Sequence, residues 1–291
     1  MERDTRDLEN SAVDCEDVKS LVPGLVRGLR LLAEFSLTEP VITASEIGRR
    51  FAIPRSTVYR LLKTLESSGF LERASRGHDY RLGIAAQHLG FTYLKSLPLT
   101  NLGSPLIERL RDRTGSTTHL VMRDTREIVY VARADGQSPM LGEWRVNLGT
   151  RLPAHLTTQG HILLGDLSFD ELSALYDGMT LQRFPDYTPF SVDELYHQVM
   201  MIARRGYGVD KSFFDHGVLS ISAPVTCSGR RIIAVISATI AHAQFDDEPM
   251  DNGFVEDVVA TANELSRQLG SDLTIARENA PQSARGTVCG F

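Results

Sequence analysis

Cysteine is scarce in this chain: Cys15, Cys227 and Cys289 are the only three among 291 residues. An odd number, with no Cys-x-x-Cys or His-x-x-x-His spacing, argues against a disulfide framework and against the common zinc patterns. It suits a reducing cytoplasm. Long apolar runs are missing as well, and none approaches the roughly 18 residues of a membrane span. The Met1–Ser20 arm has seven acidic and three basic residues and lacks the apolar core of an export signal. A cytoplasmic protein with no membrane partner is expected. Aromatic residues are few, at 7%, and Trp144 is the single tryptophan. No Gly-x-Ser-x-Gly elbow surrounds a serine. His119, His155, His161 and His216 can be gathered on paper with Asp210 and Ser220, but no motif joins them, so an enzyme acting on a small acid is the remote reading. Neither a cofactor nor a metal is expected.

What the chain does have is a 42% hydrophobic content, enough for two parts to bury separate cores. Its most informative stretch is Ile53–Leu65. Val58, Leu61, Leu62 and Leu65 recur at i, i+3, i+4 and i+7, the spacing of a buried helical stripe. Arg55, Ser56, Tyr59, Arg60 and Lys63 take the other side, with no carboxylate among them. Such a donor-rich face suits a duplex groove, where Arg and Lys meet phosphates or fork onto guanine. A solvated basic face on an ordinary helix is the bland alternative.

The neighbours favour the groove. Thr43-Ala44-Ser45-Glu46 predicts a capping box opening a short helix with Ile47 and Phe51 inward. Pro54 sits where a helix start tolerates it. Gly24–Phe35 reads as an earlier amphipathic helix carrying Leu25, Val26, Leu29, Leu32 and Ala33. After Gly69, a helix stop, Phe70–Arg73 and Asp79–Leu82 read as two short strands joined by Ala74–His78. Three helices and a two-stranded wing make a winged helix-turn-helix, whose third helix enters the major groove. Residues 21–82 hold ten Lys/Arg against six Asp/Glu, a local balance of +4 in a chain of net −6. A locally basic module is what a DNA reader needs. The expected contacts are Arg55, Ser56, Thr57, Tyr59, Arg60 and Lys63, with Arg76 and His78 from the wing.

Gly83–Leu97, stopped by Pro98, reads as a helix whose Ile84, Leu89, Phe91, Tyr93 and Leu94 spread over more than one side. A helix so apolar wants a partner, and a second copy of the chain would supply one. From Asn101 the pattern becomes α/β. Leu102, Leu106 and Leu110 mark a helix ending at Gly115, and Thr117–Arg123 with Glu127–Arg133 form a hairpin. His155–Leu164 and Ser191–Arg205 read as helices, and Val218–Thr226 with Arg231–Thr239 as a second hairpin. Phe254, Val258, Leu265 and Leu269 mark a closing helix.

Several of these runs resemble the IclR family of bacterial transcriptional regulators. They are Leu25–Leu32, Ser45-Glu46-Ile47, Ile53–Leu62, Leu65–Phe70, Tyr80–Gly83, Arg151–His155, Arg205–Asp210, Gly217–Val225 and Ala234–Ser237, in the family order. The resemblance implies an α+β protein: a winged helix-turn-helix domain at 21–82, a linker helix at 83–98 and a GAF-like effector-binding domain at 99–275. An acidic, disordered arm (1–20) and a flexible tail (276–291) would flank them.

The resemblance also implies a ligand pocket. Carried over by position, it nominates Trp144 and Leu152 as apolar walls, Thr158 and Gln159 at a helix opening, and Asp210, Ser220, Ser237 and Thr239 from the late strands. Amides at a helix start favour an anion, and strand hydroxyls can bind its remaining oxygens. The Arg151–His155 run is most similar to the branch that senses aromatic acids. The implied partners are a double-stranded DNA operator, a small carboxylate effector and a second copy of the chain in a dimer or tetramer. A ligand-independent architectural DNA binder is the alternative within the same fold.

Overall fold

The structure is a computed structural model that describes residues 21–36, 39–74, 79–136, 146–181, 191–210, 218–227, 231–241 and 252–278. The chain forms two units, Met1–Tyr93 and Leu94–Phe291.

In the first unit, α1 (Pro23–Ala33), α2 (Ala44–Arg50) and α3 (Arg55–Ser67) pack on a sheet of β1 (Ile42–Thr43), β3 (Asp79–Leu82) and β2 (Leu71–Arg73). The core is small and continuous: Leu31, Phe35, Ile42, Ile47, Val58, Leu62, Leu71 and Tyr80 are buried together. Val58 and Leu62 of the expected α3 stripe are buried, and Leu61 and Leu65 pack against them. Gly69 ends that helix with φ +76°, a left-handed turn that glycine adopts without strain. The third strand, β1, is not evident in the sequence; it pairs Ile42 with Tyr80.

Two local expectations change. On α1 the buried residues are Gly28 and Leu31, while Leu25 and Leu29 are exposed. The apolar residues of α1 therefore lie on two faces. The capping box at Thr43 is half made. Thr43 Oγ1 accepts from the Glu46 amide at 3.1 Å, but the Glu46 carboxylate accepts from Arg49 and Arg50. Arg50 in turn meets Glu34 and Glu39, so one guanidinium ties α2 to the residues after α1. These arginines hold the Glu46 carboxyl down at about 2.

α4 (Ile84–Ser96) follows. It buries no residue, and Ile84, Leu89, Phe91 and Tyr93 are exposed. Pro98, expected as a stop, is also a start: it sits in the first turn of α5 (Pro98–Thr114), where its missing N–H has no helical partner to lose.

The second unit is a six-stranded sheet between two helical layers. Its strands are β4 (Thr117–Asp124), β5 (Glu127–Ala134), β6 (Arg151–Pro153), β7 (Gly208–Asp210), β8 (Val218–Thr226) and β9 (Ile232–Ala241), in the order β6-β5-β4-β9-β8-β7. All neighbours are antiparallel. On one face α5 and α9 (Asn252–Glu278) pack against Leu120, Ile221, Ala223, Ile236 and Ala238. Gly103 lets α5 come close: a Cβ there would stand 2.8 Å from Leu120 Cδ2. α9 continues to Glu278, so a tail beginning at Ala276 starts inside a helix.

The other face carries α6 (Thr158–Leu163), α7 (Phe169–Leu175) and α8 (Val192–Arg205) over Val121, Ile128, Tyr130 and Val235. The expected helix from His155 is broken. Ala154–Leu156 forms a single 3-10 turn, then Thr157 is extended and caps α6 by accepting from the Gly160 amide. Gly160 is indispensable to that junction, since a Cβ there would lie 2.0 Å from the Ala154 carbonyl oxygen. α7, with a capping box between Ser168 and Glu171, was not expected from the sequence.

One irregularity sets which β5 side chains face α6. Leu120 pairs with Ala132 but Val121 pairs with Tyr130, leaving Val131 as an extra residue. Ile128 and Tyr130 join the α6–α8 core, Val131 and Ala132 both join the opposite core, and Arg133 returns to the side of its pair partner His119. A β-bulge has reversed the strand's alternation.

Candidate functional site

In the first unit the side chains at issue lie on α3. Arg55, Ser56, Tyr59, Arg60 and Lys63 are exposed and Thr57 is half-buried. The other arginines of this unit are largely occupied: Arg49 and Arg50 meet Glu46, Arg73 meets Glu66 and Arg81 meets Glu72. Among the described residues, no carboxylate pairs with Arg55, Arg60 or Lys63. Ion pairs thus occupy the arginines of α2 and of the two wing strands, while the cations on the outer face of α3, like Arg27 and Arg30 of α1, stay available to phosphate and base edges. Arg76 and His78 lie outside the described residues.

In the second unit polar side chains collect on one half of the sheet face that meets α6. Cross-strand register aligns them in two rows. The first runs Ser220, Thr239 and Thr117, with Asp210 as the backbone partner of Ser220; the second runs Ser222, Ser237, His119 and Arg133. A third row, with Val121 and Val235, belongs to the apolar core under α6–α8. The face is therefore divided, hydroxyl and imidazole above and hydrocarbon below.

Most of these groups are deeply buried. Ser222 and Ser237 are 0% exposed and His119 2%. Buried hydroxyls need partners, and here they find one another. Ser220 Oγ and Thr239 Oγ1 are 2.9 Å apart. Ser222 donates to Ser237 at 3.0 Å, and Gln159 of α6 donates to Ser237 at 3.2 Å. Gln159 thus spans from helix to sheet. Gly208 on the edge strand makes room for this helix start, since a Cβ there would be 2.3 Å from Thr158 Cγ2.

The positions nominated from the sequence divide accordingly. Gln159, Ser220, Ser237 and Thr239 come together, with Thr158 beside Gly208. Asp210 pairs with Ser220 through the backbone. Leu152 stands apart on β6, packed against the α6–α8 core and paired with Ile128. Trp144 lies outside the described residues. Because α6 has only six residues, its dipole contributes less than a longer helix would. The polarity of the site rests on side chains.

Three side chains of this face were not among the nominated effector positions. Ser222 is an ordinary strand serine until register places it beside Ser237. His119 stands edge-on to Tyr130, with ring centroids 5.3 Å apart. Burial, helped by the nearby Arg133 guanidinium, pushes its imidazole down to about 3. Its Nε2 is buried with no hydrogen-bond partner among the described residues. Arg133 has a side chain only 10% exposed, pairs with Asp135, and donates to the Val146 carbonyl oxygen. Nearby His161 is also held neutral by burial, with Nε2 2.9 Å from the His155 carbonyl oxygen. Among the described residues no cluster suits a metal, and no helix is long and apolar enough to cross a membrane.

Comparison with known proteins agrees across both units. The chain is 29% identical over 250 residues to the HTH-type transcriptional regulator XynR of Escherichia coli K12, covering 86% of this chain and 98% of that protein. It is 25% identical over 245 residues to the Pca regulon regulatory protein of Pseudomonas putida, covering 84% and 83%. A crystal structure of an IclR homolog complexed with 4-hydroxybenzoate, from Microbacterium hydrocarbonoxydans, superposes with a TM-score of 0.70 at 25% identity. It covers 87% of this chain and 99% of that one. Residues 24–75 match the IclR helix-turn-helix domain, and residues 91–267 match the bacterial transcriptional regulator IclR C-terminal domain. With both units matched in order over most of its length, the chain belongs to the IclR family of bacterial transcriptional regulators.

Proposed function

We propose that this regulator controls a catabolic operon in response to a small aromatic carboxylate, bound on the polar half of the sheet face beneath Gln159. The supporting observation is the divided face itself. A ligand with an acid at one end and a ring at the other matches hydroxyls and an amide set beside an apolar row. In this reading the acid group displaces the mutual hydrogen bond of Ser220 and Thr239 and is steadied by Gln159, with Ser237 holding the Gln159 amide. Thr158 and Asp210 shape the rim, Asp210 taking a donor since two carboxylates repel. Trp144 and Leu152 are the proposed walls. The relative bound to 4-hydroxybenzoate supports the chemical class.

Residues 21–82 would read the operator through Arg55, Ser56, Thr57, Tyr59, Arg60 and Lys63, with Arg76 and His78 on the wing. Residues 83–98 would link, and residues 99–275 would sense. The exposed apolar residues Val22, Leu25 and Leu29 of the first helical region, and Ile84, Leu89, Phe91 and Tyr93 of α4, support a homodimer through these surfaces. Two recognition helices would then meet two half-sites. Tetramers through the effector units are the further step.

Ligand shifts operator affinity only by binding the two arrangements of the dimer unequally. The test is a set of aromatic and aliphatic acids screened for thermal stabilisation of the full chain, followed by operator binding with and without the best of them. Ser220→Ala is expected to weaken that ligand by roughly 1–2 kcal/mol while ligand-free operator binding stays intact. Equal ligand affinity in the variant would remove Ser220 from the site. If no acid stabilises the protein, the architectural DNA binder becomes the better reading.

A further inference from the structure

His119 fits none of the roles given so far. It lies in the second polar row, paired across the sheet with Ser237 on one side and Arg133 on the other. Neighbouring polar groups in this region find partners: Ser222 and Gln159 both bond Ser237, and Thr117 Oγ1 accepts from the Gly136 amide. The His119 Nε2 atom does not, among the described residues, although it is buried. Such an atom costs stability unless something meets it.

We propose that His119 reads a hydroxyl group on the effector, set about one ring length from its acid group. The inference rests on the acid-binding role given above to the Ser220–Thr239 end. Thr239 lies two residues along β9 from Ser237, and His119 is the cross-strand partner of Ser237. Strand geometry therefore separates the Thr239 and His119 α-carbons by about 7 Å along the sheet and about 5 Å across it. A para-substituted ring spans that offset with one polar group at each end. The partner should be neutral, because the imidazole is neutral and the Arg133 cation beside it is already held by Asp135 and the Val146 carbonyl. A hydroxyl suits either tautomer of the ring, since it both donates and accepts.

Benzoate and 4-hydroxybenzoate, titrated into the full-length protein by calorimetry, are the probes. Wild type is expected to prefer the hydroxylated acid by about tenfold, the effect of one hydrogen bond. His119→Phe should erase that preference while leaving benzoate affinity within about twofold, and His119→Gln should restore part of it. In wild type labelled with nitrogen-15 histidine, the His119 Nε2 resonance should move with 4-hydroxybenzoate and stay with benzoate. A preference that survives in His119→Phe, or an unmoved resonance in a saturated wild-type sample, overturns the assignment of His119 and leaves the acid site standing. If neither probe, nor a wider set of hydroxy and deoxy carboxylate pairs, binds wild type at all, the acid site fails and this inference fails with it.

Discussion

Protonating a sealed imidazole means placing a charge out of reach of water and beside the Arg133 cation, and that cost gives His119 a measurable signature. Its folded value of about 3 lies below the roughly 6.5 of an unfolded histidine. The unfolded chain therefore binds the extra proton first. Stability is complete above about pH 6.5 and is lost as the pH falls toward 3, at about 1.4 kcal/mol per pH unit. His161, held down by burial in the same domain, adds to the loss in the same direction. Glu46 acts lower: its carboxyl is held at about 2, so its share disappears only below the ordinary carboxylate range. Melting temperatures of the intact protein are expected to hold from pH 8 to 7 and to decline between pH 6.5 and 5. His119→Phe should make that decline shallower. A flat profile across the window would mean that His119 takes its proton in the folded state.

At the scale of elements, α3 carries the clearest prediction. Arg60→Ala should weaken specific operator binding by about 1–3 kcal/mol and relax preference at one base pair. Lys63→Ala should lower affinity evenly across sequences and reduce the salt dependence by about one ion. A mobility-shift series over operator variants and salt concentrations separates the two, and normal binding by both variants would take α3 out of the groove. This helix was legible in the sequence because its two faces differ in kind, Val58 and Leu62 against Arg55, Arg60 and Lys63. The hairpins of the second unit were legible through β-branched alternation. Elements with weaker local signals were not. On α1, apolar residues lie on both faces, so periodicity alone could not pick the buried one. The break at Thr157 follows from close packing of Gly160 on Ala154, a contact the sequence does not encode locally. Of the candidate site, Gln159, Ser220, Ser237 and Thr239 were found through family resemblance. Ser222, His119 and Arg133 emerge only once the sheet register is known, because cross-strand neighbours are far apart in sequence.

For the whole molecule the prediction concerns assembly. Exposed apolar side chains on α1 and α4 cost little in a dimer and much in a monomer. Sedimentation at micromolar concentration is expected to give at least a dimer. Leu89→Asp combined with Leu29→Asp should shift it to monomer and lower operator affinity far more than either α3 substitution, because the two half-sites are then bound independently. A wild-type monomer that still binds a full operator would refute the arrangement. The extra residue Val131 bears on how such a regulator diverges. Side-chain direction in a strand is a matter of odd and even, and this one residue switches the count halfway along β5. Removing it would leave Tyr130, Ala132, Arg133 and Ala134 alternating as an unbroken strand, each on the face it already occupies, and only the bulge with its added local twist would be lost. A family descendant could therefore lose this one codon and keep Arg133 beside His119, since an extra residue that shares its neighbour's face can go without turning the residues that follow.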